Sequence, residues 1–247
     1  MNKTIATRQH LRRAVLLVSL LLFPVILNYL SPYVIIDGSS QGIISGSFIM
    51  FGLMFLSALF FGRLWCAWLC PGAGLHEACF AVNDRPARGG RLNWIKWAIW
   101  GIWLAVIALA AASAGGYHGV NFFHLTESGI SVDAPERYII YYIVIGTFVG
   151  LAWVSGRRAG CHYICWMAPF MILGRNLANL GKWPALRLEA QPEKCTNCLQ
   201  CTKTCPMSLP VNQMVNQGRM ENSECILCGS CIDGCARKVI HYAFKPG

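Results

Sequence analysis

Two long stretches of this chain, Ala14 to Tyr33 and Gly38 to Gly62, carry no charged side chain. A water-solvated fold has no way to hide that much uninterrupted apolar sequence, whereas a hydrocarbon core demands it. Charged residues make up 13% of the 247 positions and hydrophobic ones 55%. A soluble domain carries about a quarter charged residues. Four apolar stretches approach the roughly 20 helical residues needed to cross a bilayer: Arg13 to Tyr33, Ile43 to Phe61, Trp94 to Ala114 and Tyr138 to Val154. Pro24 predicts a kink in the first, which a neighbouring helix or side chain has to satisfy. A fifth stretch, Trp166 to Leu180, is short and contains Arg175, so it reads as an interfacial helix.

The basic residues set the orientation. Lys3, Arg8, Arg12 and Arg13 precede the first span; Arg63, Arg85, Arg88 and Arg91 lie in the second loop, with Lys96 just inside the third span. Eleven more follow Gly156, whereas the loop around Asp37 has none and the third loop only Arg137. Both termini are therefore expected in the cytoplasm, with the protein in the inner membrane. The N-terminal run is long and shows no clear small-residue cleavage site, so it reads as a retained anchor and not a signal peptide. The net charge of +10 follows this topology. Without a basic patch interleaved with aromatics, it gives no support to nucleic acid as a partner. Trp65, Trp68, Trp94, Trp97 and Trp183 fall at the expected interfaces, where aromatic belts account for them.

The chemistry is concentrated in thirteen cysteines. Cys195-x2-Cys198-x2-Cys201-x3-Cys205-Pro206 is followed by Cys225-x2-Cys228-x2-Cys231-x3-Cys235. This is the spacing of two-cluster ferredoxins, in which the fourth cysteine of each run ligates the other cluster. The expected ligand sets are Cys195, Cys198, Cys201 and Cys235 for one [4Fe–4S] cluster, and Cys225, Cys228, Cys231 and Cys205 for the second. Paired C-x2-C also binds zinc, but zinc has no use for eight cysteines in a duplicated 2-2-3 pattern, and a reducing cytoplasm disfavours disulfides. Ala236 stands where a proline often follows the last cysteine.

A second duplication lies in the membrane part. Gly62-Arg63-Leu64-Trp65-Cys66 leads to Cys70-Pro71 after the second span, and Gly156-Arg157-Arg158-Ala159-Gly160-Cys161 leads to Cys165-Trp166 after the fourth. Each half is two spans closed by Gly-Arg and C-x3-C, a spacing that puts both sulfurs on one face if helical. The four cysteines are candidates for a shared third metal or thiol redox site, for two separate thiol pairs, or for packing residues. Cys79 lies outside both patterns. His76, Glu77 and His162 stand beside the motifs as candidate quinol proton acceptors, interfacial hydrogen bonding being the plainer alternative. His118 and His124 fall on the opposite side.

With these residues in view, the chain resembles the NapH-type membrane ferredoxins, quinol dehydrogenase components associated with periplasmic nitrate reduction. The same modular pattern is similar to the membrane halves of nitrous-oxide and methylamine accessory ferredoxins and of a cytochrome oxidase assembly protein. The family's C-x3-C-P motif matches Cys66, Cys70 and Pro71; Cys161 and Cys165 match its cysteines, while Trp166 departs from its proline. The resemblance implies an electron carrier linked to the quinone pool, with a ferredoxin, cytochrome or reductase subunit as redox partner. The expected architecture is an all-α membrane bundle of four transmembrane helices (residues 1–183). An α+β ferredoxin-like domain with two [4Fe–4S] clusters follows (184–247). Three functions compete: quinone-linked electron transfer, maturation of a redox enzyme by reducing or delivering a metal, and a wiring subunit of a larger complex. Neither a dinucleotide fingerprint nor a Walker loop is present, nor a C-x-x-C-H haem motif.

Overall fold

The computed structural model describes the backbone from residue 3 and the side chains from residue 8 to the C-terminus. The expected first span is divided. Helix α1 (Lys3–Leu21) stops before Pro24, which sits in the first turn of the short α2 (Phe23–Ile26). A single 3-10 turn then leads to Pro32 at the start of α3 (Pro32–Ser40). Two prolines, each lacking the N–H that would continue the preceding helix, turn a simple kink into two breaks. A parallel pair of three-residue strands, β1 (Ile43–Ser45) and β2 (Gly119–Asn121), ties the two loops on that side together.

Among the described residues two helices are long and apolar enough to cross a membrane: Gly90–Ser113, which contains a 3-10 turn and α7 (Ile95–Ser113), and α8 (Arg137–Ser155). Helix α4 (Gly46–Phe61) is equally apolar but has 16 residues, about 24 Å of rise against a core of about 30 Å. Both α4 and α8 end at a glycine with positive φ, Gly62 at 55° and Gly156 at 87°, the usual terminator of a helix. Beyond each lies a five-residue helix, α5 (Leu64–Trp68) or α9 (Ala159–Tyr163), and then a longer one, α6 (Pro71–Ala78) or α10 (Ala168–Leu180).

These last helices bridge the halves: α6 packs chiefly on α1 of its own half and also on α8 of the second, and α10 of the second packs on α4 of the first. The stretch expected to lie at an interface is therefore a packed helix. Its Arg175, the reason for that expectation, is buried but satisfied, donating to both carboxylate oxygens of Glu221 at 2.7 and 2.8 Å and to the Leu186 carbonyl at 3.0 Å.

The tail begins at β3 (Ala185–Ala190), which pairs antiparallel with the last strand, β4 (Ile240–Lys245). Between them lie the short helices α11 (Gln200–Lys203), α12 (Val211–Asn216) and α13 (Ser230–Asp233). The tail does not hang free: one apolar cluster runs from Leu16 and Phe51 through Met171 to Met207, Ile226 and Ile240.

Gly174 sets the spacing of α4 and α10. A Cβ there would lie 2.6 Å from the Phe55 carbonyl oxygen and 3.0 Å from Ala58 Cβ. The nearest obstacle is backbone, so the helices would have to separate. Gly174→Ala is expected to destabilise the protein by about 1–3 kcal/mol, read as a lower thermal unfolding midpoint in detergent.

Candidate iron–sulfur and thiol sites

The two cysteine runs of the tail share one backbone at an offset of 30 residues. Asn197 and Leu227, Leu199 and Gly229, and Ser208 and Lys238 all take positive φ, between 52° and 77°. Five of these six are not glycine, and each such residue costs on the order of 1 kcal/mol or more. Successive turns of this kind point backbone N–H groups into a concavity that suits an anion, a recurring device at iron–sulfur sites. The ladder repeats as well: Ser208 N–H donates to the Cys205 carbonyl at 3.1 Å, and Lys238 N–H to that of Cys235 at 3.0 Å.

Two cavities result. One, of about 180 Å³, is bordered by Cys195, Cys198, Cys201 and Cys235; the other, about 20 Å³ and walled by methionines and aliphatic side chains, is bordered by Cys205, Cys225, Cys228 and Cys231. The fold thus brings Cys235 to the first run and Cys205 to the second. In the first set Cys198 is exposed and Cys195 and Cys235 half-buried; in the second only Cys225 is not fully buried. Burial pushes the Cys205 thiol up to about 11 and that of Cys225 to about 12, so thiolates there need the charge of a bound metal centre. Donor type, number and backbone fit an iron–sulfur cluster at each set.

The inner set rests on the C-x3-C loops, and these two loops are built alike. Cys66 N–H donates to the Arg63 carbonyl at 3.0 Å, and Cys161 N–H to that of Arg158 at 2.9 Å. Cys70 N–H reaches the Trp65 carbonyl at 3.1 Å, and Cys165 N–H that of Gly160 at 3.0 Å. The true repeat is therefore R-x2-C-x3-C. The second copy absorbs one extra residue by putting Arg158 in the left-handed region, φ 47°. All four sulfur-bearing side chains are buried. Burial and the other thiols raise Cys70, and Cys165 is pushed up to about 12.

Both arginines of the repeat are buried and paired. Arg63 Nη1 donates to Glu224 at 2.9 Å, and Lys96 Nζ pairs with the other oxygen of that carboxylate. Arg158 pairs with Glu77, which also takes two hydrogen bonds from Arg12 at 2.7 and 2.8 Å. These four cations had only a topological meaning in the sequence. The spacing of the arginines before the cysteines was the signal available for a further role.

Glu77, expected as a proton acceptor, is instead the anion between two cations. Burial opposes its ionisation, but the Arg158 charge and the Arg12 hydrogen bonds outweigh that and hold it at about 2. His162 is buried with Nε2 donating to the Met207 carbonyl at 3.1 Å, and burial lowers it to about 4. His76 is wholly buried with neither ring nitrogen partnered, and burial with the Arg158 charge lowers it to about 3. Asp37 of α3 and His124 meet at 2.7 Å, away from the thiols. Cys79 is half-buried and lines neither tail cavity.

An elongated apolar cavity of about 390 Å³ runs along α8 from Arg137 past Val144 to Phe148 and is closed by Cys70, Cys161 and Cys165. Eleven residues of helix separate Arg137 from Phe148, about 17 Å.

Residues 187–236 match the family model for a 4Fe-4S dicluster domain. A second model, described as a 4Fe-4S binding domain, matches residues 43–83. The chain is 19% identical over 222 residues to the putative electron transport protein YccM of Escherichia coli K12, covering 82% of this chain and 57% of that one. It is 25% identical over 222 residues to the nitrogen fixation protein FixG of Rhizobium meliloti, covering 78% and 41%. It is 27% identical over 86 residues to the ferredoxin-type protein NapH of Haemophilus influenzae, covering 32% and 30%. This chain thus spans about half or less of the length of these relatives. No solved structure matches it. The comparisons make this an iron–sulfur protein related to electron-transfer proteins.

Because its folded pKa is depressed, Glu77 stabilises the fold at neutral pH, and that contribution is lost as pH falls from about 4.5 towards about 2. Glu77→Gln leaves Arg12 and Arg158 buried without their anion. It is expected to cost about 3–5 kcal/mol at pH 7 and to flatten the acid limb of the unfolding profile.

Proposed function

We propose that this protein is a membrane-bound electron carrier between the quinone pool and a redox partner, with two [4Fe–4S] clusters in its tail. In this reading the chain crosses the bilayer four times, at the broken stretch 13–33, α4, α7 and α8. Both termini lie on the cytoplasmic side, an orientation supported by the eleven Lys and Arg residues after Gly156. The observation that carries the reading is the apolar cavity ending at the thiols. It has the length and character for a lipid-soluble ring with a prenyl tail, and most such sites are apolar with few polar groups. Arg158 links it to the tail, lying within electrostatic reach of both Cys161 and Cys228 of the inner ligand set.

Bound clusters would supply one-electron steps at Cys205, Cys225, Cys228 and Cys231, then at Cys195, Cys198, Cys201 and Cys235. This chain's part is to hold the two sets at different depths. The outer set has exposed Cys198, and its neighbours in the chain include exposed Lys194, Arg237 and Lys238. That surface favours a partner with an acidic face. The maturation reading, with thiols passing on a single metal ion, has less support. Among the described residues no three Cys, His, Asp or Glu side chains are placed to share one ion.

Val144→Trp is expected to fill the cavity and slow reduction of the clusters by a quinol analogue by about tenfold or more, equivalent to about 1.4 kcal/mol, while reduction by dithionite is unchanged. Equal rates for variant and parent would refute the quinone assignment. Cys205→Ala is expected to damage the cluster held by Cys225, Cys228 and Cys231 and to spare the other, as read by electron paramagnetic resonance.

A further inference from the structure

We infer that Cys66, Cys70, Cys161 and Cys165 together ligate a third [4Fe–4S] cluster, held between the two halves of the repeat. Ligand arithmetic comes first. The matched 4Fe-4S binding segment, residues 43–83, contains Cys66, Cys70 and Cys79 and none of the tail cysteines. A cubane takes four thiolates. The eight tail cysteines border their own two cavities, so a second pair must come from elsewhere. The packing of α10 on α4 and of α6 on α8 brings Cys161 and Cys165 to it. Cys70, Cys161 and Cys165 border one cavity, and Cys66 is tied in where Arg158 Nη1 donates to its carbonyl at 2.9 Å.

Spacing and charge then select the occupant. A tetrahedral ion at about 2.3 Å from each sulfur needs sulfurs about 3.8 Å apart. No three candidate ligands among the described residues are so placed. Charge agrees with a cluster there. Arg63 and Lys96 share Glu224, and Arg12 and Arg158 share Glu77, which leaves one uncompensated positive charge in each group. The surplus of two matches the net charge of about −2 on an oxidised cubane with four thiolates. Four neutral thiols would leave that surplus buried, at a cost of several kcal/mol.

Orphaned donors point the same way. Nε and Nη2 of Arg63 and Nε of Arg158 are buried without a partner, an arrangement that native folds avoid unless a ligand satisfies it. Arg63 lies within electrostatic reach of Cys66 and Cys165, and Arg158 of Cys161. Hydrogen bonds from such groups to cluster sulfurs are a common feature of these sites.

The inference deepens the electron-transfer reading by putting a centre between the apolar cavity and the tail, but its test needs no quinol. The full chain, produced and purified anaerobically in detergent, is expected to hold about twelve irons and twelve labile sulfides. A count of about eight overturns the inference, as does stoichiometric zinc or copper beside eight irons. The variant with Cys66, Cys70, Cys161 and Cys165 all replaced by serine is expected to fall to about eight of each and to keep the resonance signals of the tail clusters. Twelve irons in that variant would put the additional iron elsewhere and refute the site. If it fails to accumulate, the count on the parent protein decides alone. Twelve irons without quinol-dependent reduction would leave the cluster standing and remove the quinone instead.

Discussion

Two buried carboxylates hold this molecule together. Glu77 lies between Arg12 and Arg158, and Glu224 between Arg63 and Lys96. Each joins elements distant in sequence: Glu77 fixes α1 and the second cysteine loop to α6, and Glu224 fixes the tail to the first loop and to α7. Buried ion pairs add little net stability compared with a well-packed apolar core, but removing one partner is severe because the other is stranded. Their value here is registration. Both arginines stand three residues before a cysteine, so the contacts that dock the tail also set the orientation of the thiol loops.

The tail was the most legible part of the chain. Cluster ligation imposes a covalent geometry, and the 2-2-3 spacing records it directly; the cavities then gather Cys205 with the second run and Cys235 with the first. The matched left-handed residues were only partly legible, since Leu199, Leu227 and Lys238 carry no turn signal. The roles of Arg12, Arg63 and Lys96 were hidden for a different reason. Basic residues near apolar runs have a sufficient explanation in topology, and a count of charges does not distinguish a solvated cation from one facing a carboxylate a hundred residues away. Arg175 misled in the same manner: Glu221 satisfies it, so α10 packs where a lone charge would have forbidden it. In the first apolar stretch Pro24 was legible as a kink, whereas Pro32 adds a second break at the start of α3, because proline acts on the backbone whatever solvates the side chains.

The two halves are joined by the packing of α10 on α4 and of α6 on both α1 and α8. Close backbone approach makes this possible, at Gly174 against the Phe55 carbonyl and at Gly74 against that of Leu16, where a Cβ would lie 2.6 Å away in each case. Small residues at such crossings let helices meet closely.

From this arrangement follows a gradient of burial. The C-x3-C thiols are enclosed, the inner ligand set of the tail is nearly so, and the outer set reaches solvent at Cys198. Solvent exposure and hydrogen bonding to sulfur tune cluster potentials, so two sets with matching backbones become chemically unequal through depth alone. The inner set borders methionines and aliphatic side chains, which favour the less charged oxidised state. The outer set has water, Asn212 Nδ2 at 3.8 Å from the Cys195 sulfur, and the exposed basic residues that follow Cys235, which stabilise the added electron. With clusters bound, the proposed electron path would therefore run from the inner set to the outer one.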